Sequence, residues 1–171
     1  PGKLKFYPTL FKDVMKKCQN TDDVCAMLGK YDMSPLNGGM LLYVEKSGKY
    51  LVVEADTMMM GNQESYLLSN FCPSQTTHVH DLNIPYYQKG RKMMEQRTDT
   101  SLNYLTQLSD TMHQDWGKGF GGTLYTTIYD LTEGTVNLYF YHDYSVAVKF
   151  HLKDGLNKKD RILVIPEMFP D

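Results

Sequence analysis

Leu10, Val14 and Cys18 recur at i, i+4 and i+8 in the stretch from Thr9 to Gln19. That spacing lines one face of a helix. Thr21, followed by Asp22 and Asp23, reads as an N-cap with acids in the first turn, where they meet the positive end of the helix dipole. A second short helix then runs to Leu28, with Gly29 as its stop, and the two form a helical hairpin.

From Met40 the period shortens. Met40 to Val44 is apolar and partly aromatic, Glu45-Lys46-Ser47-Gly48 is turn chemistry, and Tyr50 to Ala55 is again apolar. The pattern predicts a β-hairpin. Thr57 to Met60 and Glu64 to Ser69 read as two further strands, the second ending at Asn70-Phe71. Cys72 to Ile84 is loop-like. Pro85 is suited to open a helix to about Arg97, and Ser101 to cap another from Leu102 to His113. Gly117 to Gly122 reads as a flexible connection.

Thr123 to Leu131, Val136 to Tyr141 and Val146 to Leu152 are β-branched and aromatic runs. The turns between them are placed at Thr132 to Thr135 and at His142 to Ser145. Three strands this close make an antiparallel meander. Leu138 and Phe140 alternate with Tyr139 and Tyr141, so the middle run is apolar on both faces. The order of helices, strands, helices, strands predicts an α+β fold rather than an alternating parallel sheet. Residues 1–153 read as one domain, and 154–171 as an extended tail or linker.

Composition narrows the function classes. With 171 residues, 42% hydrophobic and 22% charged, the chain is ordinary globular material. A net charge of -2 and the lack of a basic stripe give nucleic-acid binding no electrostatic support. No apolar run reaches the roughly 18 residues that span a bilayer. The chain opens at Pro1-Gly2 rather than on a methionine, which predicts a natural N-terminus elsewhere. Cys18, Cys25 and Cys72 are an odd set without a CxxC pair. The odd count and the missing pair argue against a complete disulfide framework or a zinc site; Cys18 and Cys25, in helix-like segments, suit small buried hydrophobes, and Cys72 lies in a loop.

Several residue sets carry candidate chemistry. His78 and His80 would project to one side of an extended segment, and Asp81 would add a carboxylate for a borderline metal. Solvent-facing histidines of a polar loop are the plainer reading. Cys72, with those histidines as base, has the makings of a nucleophile. Glu54 and Asp56 alternate on one strand face as a carboxylate pair. Trp116 beside the glycines is a pocket liner or a loop anchor. Met58-Met59-Met60 and Met93-Met94 mark an adaptable apolar pocket or, as the plainer reading, ordinary core filling.

Two segments carry a resemblance. Leu124-Tyr125-Thr126-Thr127-Ile128-Tyr129-Asp130, followed by Leu131-Thr132-Glu133-Gly134, resembles the closing hairpin of one group of cysteine-type N-terminal-nucleophile (Ntn) hydrolases. These are the linear-amide C–N hydrolases, which include acid ceramidase, choloylglycine hydrolase and acyl-CoA:6-aminopenicillanic acid acyltransferase. Leu67-Leu68-Ser69-Asn70-Phe71, with Gly90-Arg91 downstream, is similar to a strand end and an arginine of the same group. The hairpin from Gly39 to Ala55 also fits.

The resemblance implies an αββα Ntn sandwich, here partial, and cleavage of acyl amides through an acyl-cysteine intermediate. By the same resemblance Asn70 would donate to the oxyanion, and Arg91 would support substrate or oxyanion. The nucleophilic cysteine would lie upstream, in a preceding segment or a partner subunit. This chain alone would then be inactive. No cofactor is implied. The partners implied are that nucleophile-bearing segment and an acyl-amide small molecule, with a second copy of the chain as a further candidate. The remaining readings are an inactive relative of the same fold used for binding or structure, and a histidine-based metal protein.

Overall fold

The computed structural model describes residues 2–117, 121–156, 158–159 and 162–170. The chain divides into two compact units, residues 1–79 and 80–171. Each is built of helices and one antiparallel three-stranded sheet, which makes the protein α+β.

The first unit opens with helices α1 (Leu10–Lys17) and α2 (Thr21–Leu28). Leu10, Val14, Val24 and Leu28 are buried on their inner faces. Asn20, not Thr21, caps α2: its side chain accepts from the Asp23 N–H at 2.9 Å. Thr21 is the first helical residue, and its N–H and hydroxyl both donate to Glu45 in the following hairpin, at 2.8 and 3.0 Å.

That hairpin is β1 (Leu41–Val44) and β2 (Tyr50–Val53), and β3 (Met58–Gly61) completes the sheet in the order β1-β2-β3. Leu51 and Val53 face the helices and join their buried residues and Met33 in one core cluster, with Leu41, Tyr43 and Met58 packed against it. Because strand side chains alternate, Leu42 and Val44 point to the opposite face, where they are 42% and 49% exposed.

Glu64 to Ser69, expected as a strand, is not one. The chain leaves the ladder at Gly61, where a Cβ would lie 2.2 Å from the Tyr50 ring. Beyond it, Tyr66 stacks on Tyr50 with ring centroids 4.5 Å apart, and Tyr50 donates its hydroxyl to Gln63. Tyr66, inside the stretch expected as a strand, makes a ring contact instead.

The second unit begins with α3 (Pro85–Glu95) and α4 (Leu102–Met112). Pro85 occupies the first turn of α3, and Ser101 caps α4 by accepting from the Tyr104 N–H at 3.2 Å. Gly90 lets the helices approach: a Cβ there would fall 2.3 Å from Met112 Sδ.

The sheet is the meander β4 (Tyr125–Asp130), β5 (Thr135–Phe140) and β6 (Asp143–His151). Its central strand is buried from Thr135 to Tyr139, as a strand apolar on both faces should be. Asp130 holds the first turn by accepting from the N–H groups of Thr132 and Glu133, each at 2.9 Å.

The second turn is not at His142 to Ser145. It is the pair Tyr141-His142, both left-handed (φ 48° and 53°), so β6 starts at Asp143. Two-residue hairpin loops need positive φ at both centres and usually take Asn-Gly, a signal Tyr-His does not give.

A short helix, α5 (Leu152–Leu156), follows β6. The tail expected to be extended includes a 3-10 turn at Pro166–Met168, and Phe169 packs on Phe140 with centroids 5.7 Å apart. Residues 118–120 of the Gly117 to Gly122 connection lie outside the described residues, as do 157, 160, 161 and 171 of the tail.

Candidate functional site

The best-built polar feature of the first unit starts from Glu54, the residue after β2. It is 2% exposed. Such a carboxylate is costly to bury unless it is hydrogen-bonded. Its oxygens accept from the Ser74 N–H at 3.1 Å and from the Ser74 hydroxyl. Ser74 belongs to a single 3-10 turn, Pro73–Gln75, which is closed by Gln75 N–H and Thr76 Oγ1 donating to the Cys72 carbonyl at 3.0 and 2.8 Å. Glu54 thereby fastens the segment that follows Asn70 to the central strand.

Upstream of that anchor, Phe71 N–H donates to the Ser69 carbonyl at 2.7 Å. Asn70 is the apex of this three-residue turn, and it is exposed. It lines a cleft of about 660 Å³ together with Gly38, Gly39, Leu42, Phe71 and Cys72. Leu42 comes from the sheet face opposite the helices. Gly38 has φ 76°, a conformation open to glycine at little cost, and with Gly39 it leaves that wall without side chains. The cleft brings together an amide donor, a thiol and an apolar floor.

Asn70 and Cys72 are therefore neighbours in one cleft, although Asn70 stands at a turn rather than at a strand end. Arg91 belongs to the second unit and lines neither of the two clefts described for this chain. It is partly buried, and its Nη1 lies 3.4 Å from Glu95 Oε1 one helical turn on. Its Nε is shielded and makes no hydrogen bond among the described residues.

His78 lies in the first unit, and His80 and Asp81 in the second. All three are exposed, and Val79–Asp81 is a 3-10 turn, not the extended segment that would align the histidines. Among the described residues, no three His, Cys, Asp or Glu side chains are grouped to hold a metal.

Glu54 and Asp56 do not act as a pair. Glu54 is the buried anchor, and Asp56 is exposed and accepts from Thr57. Cys18 and Cys25 pack beside Met27 and Met58, with sulfur–sulfur distances of 3.7 and 3.9 Å. Burial pushes the Cys18 thiol up, which lowers its thiolate fraction and its reactivity. Met93 serves the α3–α4 pair: its carbonyl accepts from Tyr104 Oη at 3.1 Å. Met58 packs on the first unit's core.

A polar cluster in the second unit was not foreseen. His113 and His142 stack with centroids 4.5 Å apart and planes 14° from parallel. Asp110 lies 3.2 Å from His113 Nδ1 through Oδ1. The hydroxyl of Tyr141 and Nε2 of His142 are shielded without hydrogen-bond partners among the described residues. Nearby, burial pushes the phenols of Tyr139 and Tyr144 up. This cluster depends on the left-handed turn, so no spacing in the sequence announces it.

No protein-family model matches the chain, and comparison with curated proteins gave no match. Among the described residues, no helix is long and apolar enough to cross a membrane.

Proposed function

We propose that this chain is the C-terminal portion of a linear-amide C–N hydrolase or N-acyltransferase of the cysteine Ntn type, with a partial αββα sandwich. The observation that carries the reading is Asn70. It stands at the apex of an anchored turn, in a cleft with one apolar wall and one wall of glycines.

The chemistry runs as follows. A cysteine thiolate from a preceding segment or subunit attacks the amide carbonyl. The α-amine of that cysteine, titrating near about 7.7–8.0, takes the thiol proton. The carbonyl oxygen becomes an oxyanion, and the Asn70 side-chain N–H donates to it. A neutral fixed donor suits charge that appears only in the transition state. Collapse expels the amine, which takes up the proton, and leaves an acyl-cysteine. Water or an acceptor amine then resolves the thioester. Met40, Leu42, Leu68 and Phe71 give the acyl group an apolar wall. Acyl amides such as penicillins, bile-salt conjugates and N-acyl lipids are the substrate class. Arg91, which lines neither cleft and belongs to the second unit, carries no role in this reading.

The test uses the protein expressed from the whole parent gene. N-terminal sequencing and intact mass should reveal a mature chain that begins with cysteine. Asn70→Ala should then lower kcat on acyl amides by about 10²–10³ with KM little changed. A parent that frees no cysteine and turns over no acyl amide would sink the enzymatic reading and leave a binding or structural module of the same fold.

A further inference from the structure

We infer that the second unit carries a separate binding site for a neutral, flat aromatic small molecule. It lies between the β4–β5 face and the C-terminal tail. The cleft measures about 700 Å³, within the range of roughly 300–1,000 Å³ that small-molecule sites occupy. Tyr125 and Phe140, directly paired across β4 and β5, form one wall with Tyr141. Ile165 and Pro166 of the tail form another, and Gly121 closes the set.

Three features show a built site rather than a bare apolar face. The tail wall is tied down, because Phe169 packs on Phe140 with centroids 5.7 Å apart, and it is shaped by its own 3-10 turn, in which Met168 N–H donates to the Ile165 carbonyl at 3.0 Å. Tyr141 is held by the left-handed turn (φ 48°) and by donating its N–H to the Leu124 carbonyl at 2.8 Å. Non-glycine residues in that region are strained and persist where surroundings hold them, ligand clamps included. Gly121 has φ 105° and lies against Trp116, whose ring a Cβ would meet at 3.1 Å.

The lining selects the ligand. Among the described residues no lining side chain is charged, so a charged group would lose its hydration with none of them to pair it. Three aromatic rings favour a flat ring stacked offset or edge-on. Tyr125, 54% exposed, and Tyr141 bring the two phenols of the lining.

Trp116 is the chain's single tryptophan and, lying against Gly121, reports on this site. The experiment titrates the 171-residue chain with N-phenyl-1-naphthylamine, a neutral fluorescent aryl probe, and reads energy transfer from Trp116. Saturable one-to-one binding is expected. The anionic relative 1-anilinonaphthalene-8-sulfonate should bind at least about tenfold more weakly. Tyr125→Phe should bind within about twofold of the parent chain, and Tyr125→Glu should weaken binding about tenfold or more. Ile165→Asp, outside the sheet, makes the same test from the tail wall if Tyr125→Glu disturbs the strand. Transfer that does not saturate, equal binding of the two dyes, or full binding in folded Ile165→Asp would each overturn the site. None of these results bears on Asn70, whose cleft belongs to the first unit.

Discussion

Single residues decide how much of the Asn70 cleft is held in place. Glu54 is the clearest case. An acid after four apolar strand residues looks like an outlier, and its burial is tolerated only because Ser74 satisfies it. Truncating it leaves the Ser74 N–H and hydroxyl without their charged acceptor. Glu54→Ala should therefore cost about 1.5–3 kcal/mol in urea unfolding. Glu54→Gln, which keeps an acceptor, should cost less. In both variants amide exchange should quicken at Gln75 and Thr76, the donors of the tethered turn, before it quickens in β2. A loss confined to β2 would mean that the carboxylate supports the strand and not the turn. The same residue shows where sequence reading stops. Glu54 and Asp56 are equivalent as letters two apart, and only the position of Ser74, twenty residues later, makes one an anchor and leaves the other in solvent.

At the scale of elements, the most informative link joins α2 to the β1–β2 turn through Glu45. Its carboxylate accepts from Ser47, from the Thr21 N–H and from the Thr21 hydroxyl. These bonds hold its pKa below the ordinary 4.5, the Ser47 hydrogen bond most of all. A depressed carboxylate pKa means that the unfolded chain binds the proton more readily. The contribution to stability is complete above about pH 4.5 and drains away as pH falls through the folded value. Glu45→Gln should lower the urea midpoint near pH 7, and the gap to the parent chain should narrow below pH 4. A gap constant from pH 7 to pH 3 would show that the charge of Glu45 plays no part. Several other elements were legible because local chemistry and packing agree. The i, i+4 spacing of Leu10 and Val14, Pro85 at a helix start, Ser101 as a cap and the β-branched runs of β4 to β6 all point the way the structure went. Tyr66 and the Tyr141-His142 turn were not legible. In the first, a ring contact outweighed strand propensity. In the second, tertiary packing holds two bulky residues at positive φ. The cap at α2 was misplaced by one residue because Asn20 and Thr21 are both good caps, and only the partner at Glu45 separates their roles.

For the whole molecule, the question is whether two compact units are two cooperative units. The core cluster of the first, from Leu10 through Val53, contains no residue of the second. The buried strand of the second, Thr135 to Tyr139, belongs to its own meander. Proteins open in contiguous blocks that often follow such supersecondary units. Leu28 is fully buried in the first core, so Leu28→Ala should remove about 2–5 kcal/mol there through lost transfer energy and a cavity. Native-state hydrogen exchange resolves where that loss is felt. Amides of Leu51 to Val53 should exchange faster by a factor that matches it, while those of Val136 to Leu138 keep most of their protection. Equal loss in both strands would instead mean that the chain unfolds as one block despite its division. The outcome also bears on the two proposed sites. Separate opening would let ligand at the second unit's aromatic cleft protect β5 while leaving β2 unchanged. A single block would make binding at either cleft stabilise both, by the same free energy of ligand binding to the folded state.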